Sequence, residues 1–273
     1  MTFHLCYSQN FEDVILQRVF SSVSKGCYVD VGAWHPNQDS VTKLFYDRGW
    51  CGINIEPSAK YYRLLQKFRQ RDVNLNIAIS GELGELNFYE IPGSGLSSLE
   101  NAAAVLGKSH GFRVNSNKVL ANTLTKVFEE YGSDRLVHFL KIDVEGHEYQ
   151  VVKSLDWSKH RQIVVLVEAV TADKQLPAWQ DWEPVLLAAD YDFVLFDGLN
   201  RFYLRHENAH LKHLFDQPPN IFDGFLLAPG HRLRLSNQSV LRALLQRFLP
   251  TWLFNIVLNI KHKLDRIQRG AGA

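Results

Sequence analysis

The sequence predicts an α/β fold, in which a mostly parallel central sheet carries helices on both faces and a C-terminal amphipathic helical extension follows. Three observations lead there. Short β-branched apolar runs alternate with helix-patterned stretches over about 170 residues, as parallel strands and their crossover helices do. Four of those runs end in an acid, at Asp30, Glu56, Asp143 and Glu168, and strand C-termini near a switch in strand order are where such sheets hold ligands. After Pro229 the pattern changes to apolar residues at three-to-four spacing with basic residues between them.

Each element has its own signal. Phe11, Val14, Ile15 and Val19 recur on one face of a helix over 11–20. A strand over 28–33, a helix near 38–48 and a strand over 51–56 follow, and Ser58 stands where it can cap a helix running to Arg69. Residues 73–80 read as a third strand and 86–91 as a fourth, with a glycine turn at 81–84. Residues 92–118, rich in Gly, Ser and Asn, read as a long surface loop. Then come a helix over 123–131 and a buried strand over 136–143 that opens into the acidic turn 144–148. A helix over 149–155, a strand over 163–168, a helix over 182–189 and a hairpin of 191–196 with 201–205 complete the order. The expected division is an α/β domain over 1–230, with 1–25 as an N-terminal helical lid, and a basic tail over 231–273.

Composition narrows the class. With 46% hydrophobic and 22% charged residues, a chain of 273 residues builds an ordinary soluble core. A net charge of +1 argues against a nucleic-acid partner, but the charge is uneven. From Arg232 to Arg269 eight Lys/Arg face one acid, Asp265, so this stretch carries +7 and the remainder −6. Cys6, Cys27 and Cys51 are odd in number and form no C-x-x-C pair, which disfavours a disulfide framework or zinc ribbon and suits a reducing cytoplasm. No secretory h-region and no run of about 18 apolar residues is present, so a cytoplasmic protein is expected, with peripheral contact at the inner face of the membrane left open to the tail.

Gly32 and Glu56 have the spacing of a nucleoside site: a glycine turn, then roughly 20–25 residues on an acid that accepts hydrogen bonds from a ribose diol. The dinucleotide fingerprint G-x-G-x-x-G is missing, since Trp34-His35-Pro36 follow the turn. A pyrophosphate wants those extra glycines, whereas S-adenosylmethionine has no phosphate to seat. A nicotinamide-dependent sugar oxidoreductase is disfavoured on the same ground and by the lack of a Tyr-x-x-x-Lys pair.

Several motifs in order extend this reading. Ser8-Gln9-Asn10-Phe11-Glu12-Asp13, Asp30-Val31-Gly32-Ala33, Ile55-Glu56-Pro57, Asn76-Ile77-Ala78-Ile79, Gly95-Leu96-Ser97-Ser98 and above all Lys141-Ile142-Asp143-Val144-Glu145-Gly146-His147-Glu148 resemble the FkbM family of S-adenosylmethionine-dependent methyltransferases. Asp197 to Tyr203 and Pro218 to Asp223 are similar to members found among glycan-assembly enzymes. The resemblance implies a Rossmann-like class I methyltransferase fold and methyl transfer to a hydroxyl of a carbohydrate, such as a surface glycan or a lipid- or nucleotide-linked sugar. A non-sugar natural product as acceptor and a non-catalytic nucleoside-binding scaffold acting through the tail are the alternatives.

On that reading Asp30, Gly32, Ala33, Glu56, Pro57, Ala78 and Ile79 would form the cofactor site, with Gln9 and Asp13 closing over it. A hydroxyl is a poor nucleophile until a base or a metal lowers its pKa. Two routes stay open: His147 or Glu145 as general base beside Asp143 and Lys141, or Mg²⁺ held by Asp143 and Glu168. The adjacent Asp-Asp or Asp-Asn pair usual for the metal route is replaced here by Glu168-Ala169. Trp34, His35 and Asn37 would face the acceptor, joined by Ser97, Asn200, Arg201 and Tyr203. The tail places Leu241, Leu244, Leu245, Phe248, Leu249, Trp252, Leu253, Ile256, Val257 and Ile260 on one stripe, so residues 236–266 are expected to contact a membrane or a second subunit.

Overall fold

The structure is a computed structural model that describes residues 3–132, 135–171 and 175–234. The elements are β1 (His4–Cys6), α1 (Glu12–Val19), β2 (Cys27–Val31), α2 (Lys43–Asp47), β3 (Cys51–Ile55), α3 (Ala59–Phe68), β4 (Val73–Leu75), β5 (Ala78–Ile79) and β6 (Gly84–Glu90). They continue with α4 (Asn101–Ser109), β7 (Asn115–Asn122), α5 (Leu124–Tyr131), β8 (Phe139–Ile142), α6 (Glu148–Lys153), β9 (Val164–Glu168), α7 (Glu183–Ala188), β10 (Tyr191–Phe196), β11 (Asn200–Arg205) and β12 (Phe225–Leu227). Two 3₁₀ segments, His206–Phe215 and Ile221–Asp223, lie between the last two strands.

Seven strands form the central sheet in the order β10-β11-β9-β8-β2-β3-β4. β2, β3, β4, β8 and β9 run parallel, while β11 pairs antiparallel with both β9 and β10. From β2 the chain works outward through β3 to β4, then returns to build β8 and β9 on the other side. The switch point is therefore the crevice between the C-terminal ends of β2 and β8.

Period-two alternation sorts the strand residues onto two faces. Val29, Val31, Ile53, Ile55, Leu140, Ile142, Val165 and Val167 pack against Leu124, Val127 and Phe128 of α5, Val151 and Val152 of α6 and Leu186 of α7. Tyr28, Phe139, Val164, Leu166, Phe202 and Leu204 pack on the other side with Ile15, Leu16 and Val19 of α1 and Leu44 and Phe45 of α2. Burial on both faces is why these strands read as continuous apolar runs.

Three expectations are corrected, and one strand is new. The third strand divides: β4 joins the central sheet, while β5 enters a second sheet of order β5-β7-β6. Asn76 makes the break, its side-chain amide donating to the Glu56 and Pro57 carbonyls, both at 2.9 Å. The loop expected over 92–118 contains α4 and the start of β7, which pairs along its length with β6. The N-terminal segment is no lid, because Val14, Ile15 and Leu16 are fully buried and α1 forms part of a core layer. β1, which sequence patterning missed, pairs in parallel with β12, His4 opposite Phe225.

The chain divides into two compact units, Met1–His231 and Arg232–Ala273. The amphipathic helix expected over 236–266 falls outside the described residues. Among those residues, no helix is long and apolar enough to cross a membrane.

Candidate active site

Two of the acids that end the parallel strands, Asp30 and Asp143, meet at one ammonium. Asp30 of β2 lies opposite Lys141 of β8 in the sheet register. Lys141 Nζ donates to the Gly32 carbonyl at 2.8 Å and stands 3.2 Å from Asp143 Oδ2 and 3.4 Å from Asp30 Oδ1. The other Asp30 oxygen accepts from the Thr42 hydroxyl at 3.1 Å. Burial alone would lower the Lys141 pKa, but Asp143 and Asp30 outweigh it and hold the ammonium above its ordinary value. Lys141 is thus a charged clamp that joins two strand ends and neutralises Asp143.

Gly32 has φ +79°, and a Cβ there would lie 1.8 Å from the Asp143 carbonyl oxygen. The chain leaving β8 presses on this turn, so protein backbone requires the glycine whatever ligand lies above it. Glu56 closes the next strand and is 5% exposed. Its oxygens accept from the backbone N–H groups of Trp34 at 2.8 Å and Ser58 at 2.7 Å. Burial pushes its pKa up to about 7 despite those donors.

A second acidic group lies at the ends of β8 and β9. One oxygen from each of Asp143, Glu145 and Glu168 lies within 4.8 Å of the others. Glu145 enters with a left-handed backbone, φ 56°. Burial first, then repulsion from Asp143, raises the pKa of both Glu145 and Glu168 well above the carboxylate range. Glu148 accepts from the Val144 and Gly146 N–H groups, and burial lifts it to about 7.

His147 is not in that group. Its Nδ1 lies 2.7 Å from Glu100 Oε1 and its Nε2 3.2 Å from Ser80 Oγ. All three residues line a cavity of about 380 Å³ that Asn87, Tyr89 and Gln150 also border. Both ring nitrogens are engaged there, facing the cavity and not the Asp143, Glu145 and Glu168 group.

The remaining candidates divide. Ala33 lies 6% exposed on the Gly32 turn, its N–H bonded to the Ile55 carbonyl at 3.1 Å, and Pro57 is half-buried after β3. Ala78 and Ile79 are both buried, and Ile79 belongs to the hydrophobic core. Asp13 is fully buried and accepts from Tyr7 N, Ser8 N, Ser8 Oγ and Cys6 Sγ, so it holds the fold of the N-terminal segment. Gln9 is half-buried in the turn before α1.

Trp34 stands on the Gly32 turn with its ring 5.4 Å from Tyr61, and His35 Nδ1 caps the loop by accepting from Asn37 N and Gln38 N. Ser97 Oγ accepts from Ile91 N and pins the following loop. Asn200 lies opposite Glu168, at the same edge of the sheet, and donates to Glu12 at 2.9 Å. Arg201 and Tyr203 both bind Glu183, and the guanidinium lies 3.7 Å from the Phe193 ring centroid and 4.1 Å from that of Trp179. That group is satisfied within itself, which argues for a packing role over an acceptor contact. Sequence reasoning missed Thr42, Ser80, Glu100 and Glu148; only Glu148 carried a signal, inside the acidic turn.

The methyltransferase FkbM domain family matches residues 30–193, more than half of the chain, from Asp30 through Phe193 in β10. The chain belongs to the FkbM methyltransferase family. It is an S-adenosylmethionine-dependent methyltransferase with the Rossmann-like fold expected of one, and S-adenosylmethionine is its cofactor. The FkbM match takes in every acid of the two groups above and stops short of Asn200, Arg201 and Tyr203. Among solved structures, a chain of the fibrillarin/Nop5p complex is similar at 9% identity over 67% of this chain and 72% of that one, with a TM-score of 0.36. Trm1 from Pyrococcus horikoshii, solved with S-adenosyl-L-methionine, is similar at 12% identity over 73% of this chain and 56% of that one, with a TM-score of 0.32. No curated protein matches the sequence.

Proposed function

We propose that the protein is an O-methyltransferase acting on a carbohydrate hydroxyl, with Glu145 as the general base. The observation that carries the reading is the charge balance at the strand ends. Asp30, Glu56, Asp143, Glu145 and Glu168 stand at the C-terminal ends of neighbouring strands, and among the described residues Lys141, paired with Asp30 and Asp143, is the one cation in salt-bridge contact with any of them. That excess suits a donor whose sulfonium and ammonium are both positive. Bound there, S-adenosylmethionine supplies the methyl group as electrophile.

The chain's own residues do the rest. Glu56 would hold the ribose diol, and the Asp30–Lys141–Asp143 clamp fixes the turn beneath it. Glu145 and Glu168 hold their protons more tightly than ordinary carboxyls, and a carboxylate with a raised pKa is the better proton acceptor once ionised. A positive donor nearby favours that ionised form. The acceptor class is supported by the neighbouring cavity, whose lining of Ser80, Asn87, Tyr89, Glu100, His147 and Gln150 offers hydroxyl partners and an aromatic ring without any Lys or Arg. A neutral polyol suits such a lining better than a phosphate does.

A second reading rests on the convergence of Asp143, Glu145 and Glu168, which would suit a divalent cation that lowers the hydroxyl pKa directly. Incubation with methyl-labelled donor and a panel of neutral oligosaccharides and nucleotide sugars, with and without chelator, tests both. Label on a sugar oxygen supports the proposal, and label found only on amines or on non-sugar alcohols refutes it. Loss of transfer on chelation favours the cation.

A further inference from the structure

We propose that the face formed by Phe3, Ile221, Phe222 and Leu226 is a docking surface for an anionic lipid bilayer. These side chains are 60%, 83%, 79% and 56% exposed. Leu226 lies opposite Leu5 in the β1–β12 ribbon, so the pleat turns Phe3, Leu5 and Leu226 to one side. On the other side Phe225 packs 5.6 Å from Phe11. Ile221 and Phe222 project from the 3₁₀ turn just before β12.

The exposure is braced. The Asn220 side chain accepts from Phe222 N at 3.0 Å, and Asp223 accepts from Asn220 N at 2.7 Å, closing a capping box. Arg18, from α1, reaches across to the turn. Its Nε and one terminal nitrogen donate to the two Asp223 oxygens, both at 2.8 Å, and the guanidinium also donates to the carbonyls of Leu214, Gln217 and Pro218. A single exposed apolar residue means little, but two on a rigid turn with two more on the adjoining ribbon, where His4 N donates to the Gly224 carbonyl, mark an interaction surface. Residues of this turn belong to the run Pro218 to Asp223, which methyl transfer leaves without a role.

Charge selects the occupant. The basic stretch begins at Arg232, five residues beyond Leu227, and carries eight Lys/Arg against one acid through Arg269. In sequence it also carries Phe248, Trp252 and a Leu/Ile stripe. Aromatic and aliphatic side chains with surplus positive charge suit an acidic bilayer surface, where each Lys or Arg adds attraction that salt weakens. The inference is independent of which acceptor the enzyme methylates.

The test is co-sedimentation of the full chain with vesicles of phosphatidylcholine alone and of phosphatidylcholine mixed with phosphatidylglycerol. The double variant I221S/F222S is compared with L83S, an equally simple change at a 53% exposed leucine elsewhere. All these sites face water, so the folds should survive, as thermal midpoints will show. Expected are binding to the mixed vesicles only, a loss of about tenfold or more in the double variant, and no change in L83S. Equal binding to both vesicle types, no binding at all, or a loss under about fivefold in the double variant overturns the proposal. So does a dimer, seen by light scattering, that I221S/F222S dissolves while vesicle binding is unchanged.

Discussion

Replacing Glu56 by Gln should reverse in sign between acid and base. Burial raises the Glu56 pKa from 4.5 to about 7 in the folded protein. A raised carboxyl holds its proton better when folded, so its contribution is complete below 4.5 and is lost as the pH climbs through about 7. The full span is on the order of 3 kcal/mol, and most of it falls between pH 5 and pH 8. Gln carries no titration, but it offers one oxygen where two backbone donors, Trp34 N and Ser58 N, now each have one, which costs about 1–3 kcal/mol at every pH. The variant should therefore be less stable than the parent at pH 5 and equal or more stable at pH 8. Urea unfolding at both pH values measures this. Glu12 and Glu148, also raised to about 7, titrate in both proteins and cancel. A stability difference that moves by less than about 0.5 kcal/mol between the two pH values would refute the buried, proton-holding Glu56.

Three further outcomes are expected. Gly32→Ala should lower stability by at least about 3 kcal/mol or abolish soluble protein, since its Cβ meets the Asp143 carbonyl, whereas Gly93→Ala, with open space around it, should cost about 1–2 kcal/mol; denaturant midpoints compare them. Glu145→Gln should lower kcat by roughly 10²–10⁴-fold with donor affinity, by calorimetry, nearly kept, while His147→Ala should change kcat less than about tenfold; the opposite ranking would return the base role to the imidazole. If Asp143, Glu145 and Glu168 act without a cation, prior treatment with chelator should leave initial rates unchanged and added Mg²⁺ should not raise them.

The central sheet was legible because its strands are buried on both faces. Val29, Leu140 and Val165 are fully enclosed, and such positions leave β-branched runs with sharp ends. The acids at those ends were legible for the same reason, as the strand boundary places them in the crevice. The small sheet was not. β7, Asn115–Asn122, is polar and exposed along most of its length, so neither face imposes an alternation. α4 hides in a context of Gly and Ser. Contacts between distant segments left no local trace either: Glu100 and His147 meet across 47 positions, and Arg18 meets Asp223 across 205. Lys141 illustrates a subtler failure. Its alternation with Asp143 was visible, but its bond to the Gly32 carbonyl, which makes it a clamp, depends on a neighbouring strand.

The pairing of His4–Cys6 with Phe225–Leu227 has a consequence for biogenesis. The earlier strand waits for a partner about 220 residues further along the chain, so during synthesis it stays unpaired while the intervening residues emerge. Closing so long a loop carries a large entropic penalty unless the intervening residues have already collapsed. The β1–β12 ribbon should thus zip up after the methyl-transfer crevice has formed, as the last long-range seam of the domain. Because the two strands run parallel, the end of β12 and the start of β1 lie at opposite ends of the ribbon, so a permuted enzyme that joins them and opens at an exposed bend elsewhere needs a crossover linker of about a dozen residues.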